Sequence, residues 1–137
     1  MSGHHQPLRL GRDICGHLAL AEQREWLVTN GIGGYACGTV AGVLTRSYHG
    51  LLVAALKPPL DRTLLLAQLE ESVQLGDQIV PLSTHRWADG SIVPHGCVQI
   101  ESFRLEGSIP TWAYAVAEVL LEKRIWMEQG GNITYLR

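Results

Sequence analysis

From Thr111 to Met127 the chain alternates by residue. Trp112, Tyr114, Val116, Glu118 and Leu120 fall on one side of an extended backbone, opposite Ala113, Ala115, Ala117 and Val119. Successive strand side chains point to opposite faces, so a period of two marks a β-strand. The alanine side leaves room for a second layer to approach closely, as a facing sheet does. One unbroken strand over Thr111–Met127 is the expectation.

Elsewhere the chain is cut into short pieces by turn signals: Asn30-Gly31, Gly76-Asp77, Asp89-Gly90, Glu106-Gly107 and Gly130-Gly131-Asn132. Asn-Gly is a strong hairpin signal, because both residues tolerate positive φ. Strands are expected at Glu25–Thr29, Thr39–Thr45 and Tyr48–Leu56, the last stopped by Pro58-Pro59, since proline cannot donate to a ladder. A further strand is expected at Val98–Leu105, with Val98, Ile100 and Ser102 opposite Gln99, Glu101 and Phe103, and another opens at Ile133–Leu136. Arg62–Leu75 is ambiguous. Leu65, Leu69 and Val73 recur at helical spacing, whereas Thr63–Leu66 suits a buried strand. Residues 1–24 read as a flexible lead-in with one short strand at His17–Ala21. Residues around His85 and Trp87, between Pro81 and Pro94, read as loop-rich. Six to eight strands at this spacing indicate an all-β fold, an antiparallel β-sandwich. The chain stops on strand-like residues, so a partial domain is expected.

With 137 residues there is room for one domain. Hydrophobic residues make up 46% and charged residues 18%, a globular balance that argues against disorder. A net charge of −2 with scattered basic residues argues against nucleic acid and an anionic membrane surface as partners. No apolar run approaches the ~18 residues of a membrane span. Three dispersed cysteines (Cys15, Cys37, Cys97) suit a reducing compartment, and the first residues lack a secretory pattern, so a cytoplasmic protein is expected.

The densest chemistry lies in Glu25–Leu56. Asn30, Gly31, Gly33, Gly34 and Tyr35 make a glycine-rich turn, and Arg46, Tyr48 and His49 precede the apolar run Leu51–Leu56. This segment, TNGIGGYACGT over Thr29–Thr39 and TRSYHGLLVAAL over Thr45–Leu56, resembles the N-terminal domain of bacterial and archaeal glycogen debranching enzymes of the amylo-α-1,6-glucosidase type. The likeness continues at Pro58-Pro59, Arg62–Leu66, Leu69–Glu71, Pro110-x-Trp112-x-Tyr114 and Lys123-x-Ile125-Trp126-Met127. Cys37 departs from a usual serine, and Ser47 from a common basic residue.

The resemblance implies that residues 25–137 are the first part of a supersandwich-type β-domain, and it favours strands over Arg62–Leu75. In that family the domain precedes an (α/α)6 barrel, which carries the catalytic acid and base and is absent from this chain. The implied role is non-catalytic: bracing the barrel and lending loops to a cleft for glycogen, limit dextrin or maltooligosaccharide. The alternative is a stand-alone carbohydrate-binding or assembly module.

Asn30, Gly31, Gly33, Gly34, Tyr35, Arg46, Tyr48, His49 and Trp112 are the candidate substrate or barrel contacts. A strand would put Arg46 and Tyr48 on one face and His49 on the other; in a purely structural role, Arg46 pairs with a carboxylate and His49 bonds a loop carbonyl. Trp26 and Trp87 are further aromatic surfaces. Glu70-Glu71 would point to opposite strand faces and cannot make the facing carboxyl pair that glycoside hydrolysis uses. No catalytic residue is assigned.

Other motifs carry less. Gly31-x-Gly33-x-x-Ala36 matches a dinucleotide fingerprint, but poor helix formers follow and the ribose-binding carboxylate is missing. Gly33-x-x-x-x-Gly38-Thr39 lacks the P-loop lysine. Cys15-x-His17 and His95-x-Cys97 are spaced too tightly for a zinc knuckle. No metal or other cofactor is expected.

Overall fold

A computed structural model describes residues 8–137. Residues 1–7 of the expected lead-in lie outside them. The first elements are β1 (Arg9–Leu10), α1 (Arg12–Cys15), α2 (Leu18–Ala21), β2 (Glu25–Thr29), β3 (Tyr35–Thr39), β4 (Gly50–Lys57) and β5 (Leu60–Leu66). Two hairpins follow, β6 (Ser72–Leu75) with β7 (Gln78–Pro81), and β8 (Thr84–Arg86) with β9 (Ile92–His95). The last strands are β10 (Ile100–Glu106), β11 (Ile109–Val116), β12 (Val119–Met127) and β13 (Thr134–Leu136).

The fold is an all-β antiparallel sandwich. One sheet has the order β2-β3-β4-β5, the other β1-β10-β11-β12-β13, and the two hairpins form small sheets of their own. Trp26 from β2 meets Trp112 from β11 edge-on at 5.5 Å, and Phe103 from β10 meets the same indole at 5.0 Å. Ala36, Tyr114, Val116, Ile125 and Met127 complete the core between the sheets. Both indole N–H groups are satisfied by the chain leaving β3: Trp112 donates to the Val40 carbonyl at 2.9 Å and Trp26 to that of Thr39 at 3.2 Å. A buried tryptophan needs such a partner, and the Trp112 bond also ties one sheet to the other.

Several expected elements change. Residues 111–127 are two strands, β11 and β12, folded about Ala117-Glu118 with Val116 opposite Val119. Ala117 sits at φ +54°, a conformation usually left to glycine or asparagine, so composition gave no sign of the turn. The strand expected at Thr39–Thr45 ends at Thr39, and Gly42 at φ +88° turns the chain away. Residues Gly96–Gln99 form a 3-10 turn, so β10 starts later than Val98. A bulge between Ile100 and Ser102 then breaks the expected two-face alternation, and Ile100, Ser102 and Phe103 are all buried.

Within the former lead-in, His17–Ala21 is no strand: Leu18–Ala21 is one helical turn. Arg9 and Leu10 pair with β10, Arg12 donates to the Ile100 carbonyl at 2.9 Å, and Cys15 and Ala21 are fully buried. Arg62–Leu75 resolves into β5 and β6, and Pro58-Pro59 makes the tight β4–β5 connection. Gly76-Asp77, Asp89-Gly90 and Glu106-Gly107 turn the hairpins as their residue types predict. Glu70 and Glu71 lie in the link before β6, not in a strand; Glu71 bonds Lys123 at 3.0 Å. Among the described residues no helix is long and apolar enough to cross a membrane.

Candidate functional site

β2 begins with Glu25, on the sheet face turned away from the sandwich core, and the loop between β3 and β4 folds back over it. Arg46, Tyr48 and His49 precede β4 rather than lying in it, so strand alternation does not separate them. All three reach the same oxygen, Oε1 of Glu25: His49 Nε2 at 2.7 Å, Arg46 Nε at 2.9 Å and the Tyr48 hydroxyl at 3.3 Å. The expected carboxylate partner of Arg46 is therefore Glu25. His49 does not bond a carbonyl. Its Nδ1 accepts the backbone N–H groups of Thr45 and Arg46 at 3.1 and 3.2 Å. That fixes the tautomer, so Nε2 carries the proton and donates to Glu25. The His49 side chain is fully buried and works as the internal brace of the loop.

Hydrogen bonding from His49 holds the Glu25 carboxyl below its ordinary range; burial opposes it, and the hydrogen bond from Arg46 adds to the lowering. The hydrogen bond that Arg46 donates to Glu25 in turn raises the pKa of the guanidinium. A carboxylate depressed in the folded state stabilises the fold above its unfolded pKa, and that contribution is lost as pH falls through the folded value. At neutral pH Glu25 is an ionised acceptor and not a proton donor.

Glu25 and Tyr48 line an open cleft of about 610 Å³ together with Leu27, Thr29, Tyr35 and Arg62. The Tyr35 hydroxyl donates to the Tyr48 carbonyl at 2.9 Å and fixes that loop at the rim. Gly31, Gly33 and Gly34 shape another wall. Gly33 has φ +103°, and a Cβ there would come within 2.6 Å of the Pro59 carbonyl oxygen. Glycine is needed at that position for backbone approach to the β4–β5 turn. Arg62 from β5 closes the same contact by donating to the Gly33 carbonyl at 2.8 Å.

Two candidates belong to the fold instead. Asn30 is fully buried: Oδ1 accepts from Ile32 and Gly34 at 3.0 and 2.9 Å, while Nδ2 donates to the Gly131 carbonyl and to Asn132 Oδ1 at 3.0 and 3.1 Å. Its hydrogen-bonding capacity is used within the chain. Trp112 is 2% exposed at the centre of the sandwich, apart from the cleft. Sequence reasoning missed Glu25, Leu27 and Arg62 as cleft residues. Glu25 opens the glycine-rich segment, but nothing in a linear reading pairs it with a loop twenty residues on.

The cysteine–histidine pairs make no cluster. Cys15 Sγ faces the Leu10 carbonyl at 3.5 Å, all three cysteines are free and buried, and burial pushes Cys15 up to about 11. After the Gly31-x-Gly33-x-x-Ala36 pattern comes strand β3, not the helix a pyrophosphate site uses.

Residues 24–137 match the family model described as glycogen debranching enzyme N terminal. The chain belongs to this family. No curated protein and no solved structure gives a significant match. The match takes in the Glu25 cluster, the glycine turn and all of both large sheets except β1. As a glycogen debranching enzyme N-terminal domain, the chain thus has its cleft and its sandwich within one family unit.

Proposed function

We propose that this domain is a non-catalytic, glucan-facing part of a glycogen debranching enzyme, which hydrolyses α-1,6-glucosidic branch points. The observation that carries the reading is the convergence of His49, Arg46 and Tyr48 on one oxygen of Glu25 at the wall of an open cleft. With Oε1 engaged, Oε2 is left to accept from a sugar hydroxyl, and the half-exposed Tyr48 and the Tyr35 ring offer aromatic surface beside it. Among the described residues Glu25 is the one carboxylate lining the cleft, and it is held ionised, so it suits binding rather than the paired acid and base of glycoside hydrolysis.

Affinity electrophoresis in gels cast with glycogen tests this. Glu25→Gln or Tyr48→Ala is expected to weaken retardation by about tenfold, the effect of one charge-assisted contact. Retardation unchanged in both variants would exclude the cleft as a glucan contact. The chain alone is expected to release no glucose from limit dextrin.

The same reading places a catalytic barrel of the same polypeptide, in a cytoplasmic enzyme, against the β4–β5 hairpin. Leu56, Leu60, Leu64 and Leu65 are 53%, 70%, 49% and 55% exposed there, an apolar concentration that water-facing strands seldom carry. Amide exchange in this hairpin should slow when the barrel is present in the polypeptide; equal rates with and without it would reject the docking.

A further inference from the structure

Trp87, the residue after β8, is 57% exposed and is not one of the residues lining the cleft. Its ring is nonetheless fixed. The indole N–H donates to the Val93 carbonyl at 2.7 Å, across the hairpin. The Trp87 backbone N–H donates to Ser91 at 2.8 Å and its carbonyl accepts from Gly90 at 2.9 Å. Asp89 Oδ1 closes the turn by accepting from the Ser91 backbone N–H at 2.9 Å and its hydroxyl at 2.6 Å. With its one polar group engaged inside the hairpin, the indole offers a ligand only its flat face. Holding that face still removes much of the ordering cost of binding.

The ring has a polar neighbour. His85 lies two residues back on the same side of the hairpin, its ring centre 6.4 Å from that of Trp87. Gln68 Nε2 bonds His85 Nδ1, and His85 Nε2 faces Glu70 Oε1 at 3.4 Å. The Glu70 side chain is 83% exposed, so its carboxylate keeps most of its capacity to accept hydrogen bonds. A rigid aromatic face beside an imidazole, which itself meets an amide and a carboxylate, matches a pyranose, which has an apolar C–H face and hydroxyls around its rim.

We propose that Trp87, with Glu70, Gln68 and His85, is a second α-glucan contact, separate from the Glu25 cleft, on which one glucose ring stacks against the indole. The ligand class rests on the reading given under Proposed function; the site does not. Its role is to hold a neighbouring stretch of the polysaccharide.

Two measurements on the intact chain test it. In glycogen gels, Trp87→Ala is expected to weaken retardation about tenfold, while Trp87→Phe keeps most of it. In the unmodified chain, maltoheptaose titration should move the indole N–H resonance of Trp87 and leave that of the buried Trp112 in place. Retardation lost with Trp87→Ala but insensitive to both Glu25→Gln and Tyr48→Ala would keep the platform and sink the cleft. Retardation insensitive to Trp87→Ala but lost with Glu25→Gln, with a silent Trp87 resonance, would overturn the platform and keep the cleft. A Trp87 resonance that ignores maltoheptaose yet shifts when the barrel is present would identify a protein contact, and would also overturn the proposal.

Discussion

Asn30→Ala is expected to lower the stability of this domain by at least about 3 kcal/mol, read from the midpoint of urea unfolding. Asn30 joins three segments that are distant in sequence. Its carbonyl oxygen caps the turn at Ile32 and Gly34, and its amide reaches Gly131 and Asn132 in the turn before β13. Asn132 extends the link to β4, accepting from the Ala55 N–H at 3.1 Å and donating to the Ala55 carbonyl at 3.0 Å. The truncation leaves several buried polar groups unpaired, each worth roughly 1–3 kcal/mol. Asn30→Asp separates the bonds from the volume. It keeps the acceptor toward Ile32 and Gly34, but sets a second oxygen against the Gly131 and Asn132 oxygens. It is therefore expected to be no milder than alanine. Asn30→Ala combined with Asn132→Ala should cost less than the sum of the single changes, because the two side chains share one network. A wild-type midpoint for Asn30→Asp would show that these bonds do not hold the sheets together.

Breaking the Glu71–Lys123 pair is expected to cost more still. Lys123 points from β12 into the space between the sheets, its ammonium 4.6 Å from the centre of the Trp112 ring and 3.0 Å from Glu71. The side chains of Lys123 and Glu71 are only 14% and 23% exposed. Glu71→Ala strands a buried ammonium, and loss of one partner of a buried pair typically costs about 3–5 kcal/mol. Replacing both, Glu71→Leu with Lys123→Met, should recover most of that, since an apolar pair of similar volume often does as well as the ions. A double variant as unstable as Glu71→Ala would contradict this account.

The pair also sets a pH dependence. Burial alone would lower Lys123, but the field and hydrogen bonds of Tyr114 and Glu71 outweigh it and raise the ammonium above its usual value. Burial raises the Tyr114 phenol as well. Both groups hold their protons more tightly when folded. Their contribution is complete below the unfolded values of about 10–10.5 and falls as pH rises through the folded ones. Wild-type stability should therefore decline on the alkaline side, and Glu71→Ala should show a smaller decline, because the folded-state pKa of Lys123 then lies closer to the unfolded one.

How much of this was legible differs from element to element. Asn30-Gly31, Gly76-Asp77, Asp89-Gly90 and Glu106-Gly107 announced their turns, because each residue's own φ preference decides the local geometry, and Pro58-Pro59 announced the end of β4. Ala117-Glu118 turns as sharply with no such preference; pairing of β11 with β12 imposes it. The family likeness in Thr29–Thr39 and Thr45–Leu56 lay open in the residues, and the match over residues 24–137 agrees with it. The site was only half legible. Arg46, Tyr48 and His49 stood out as a cluster, yet strand periodicity divided them, because the loop that gathers them has no period to read.

By itself the sequence determined an antiparallel β-sandwich, its main turns, its family and the segment that carries its polar chemistry. These follow from properties that each residue carries locally: side-chain alternation, turn preference and motif identity. Tertiary structure alone decided that Glu25 is where Arg46, Tyr48 and His49 meet, that Asn30 binds the fold rather than a ligand, and that Lys123 is buried against Trp112 and Glu71. Each of those depends on groups brought together from distant strands, and hydrogen bonds and ion pairs form only within a few ångströms. Such proximity is set by sheet packing and register, which no single stretch of chain specifies.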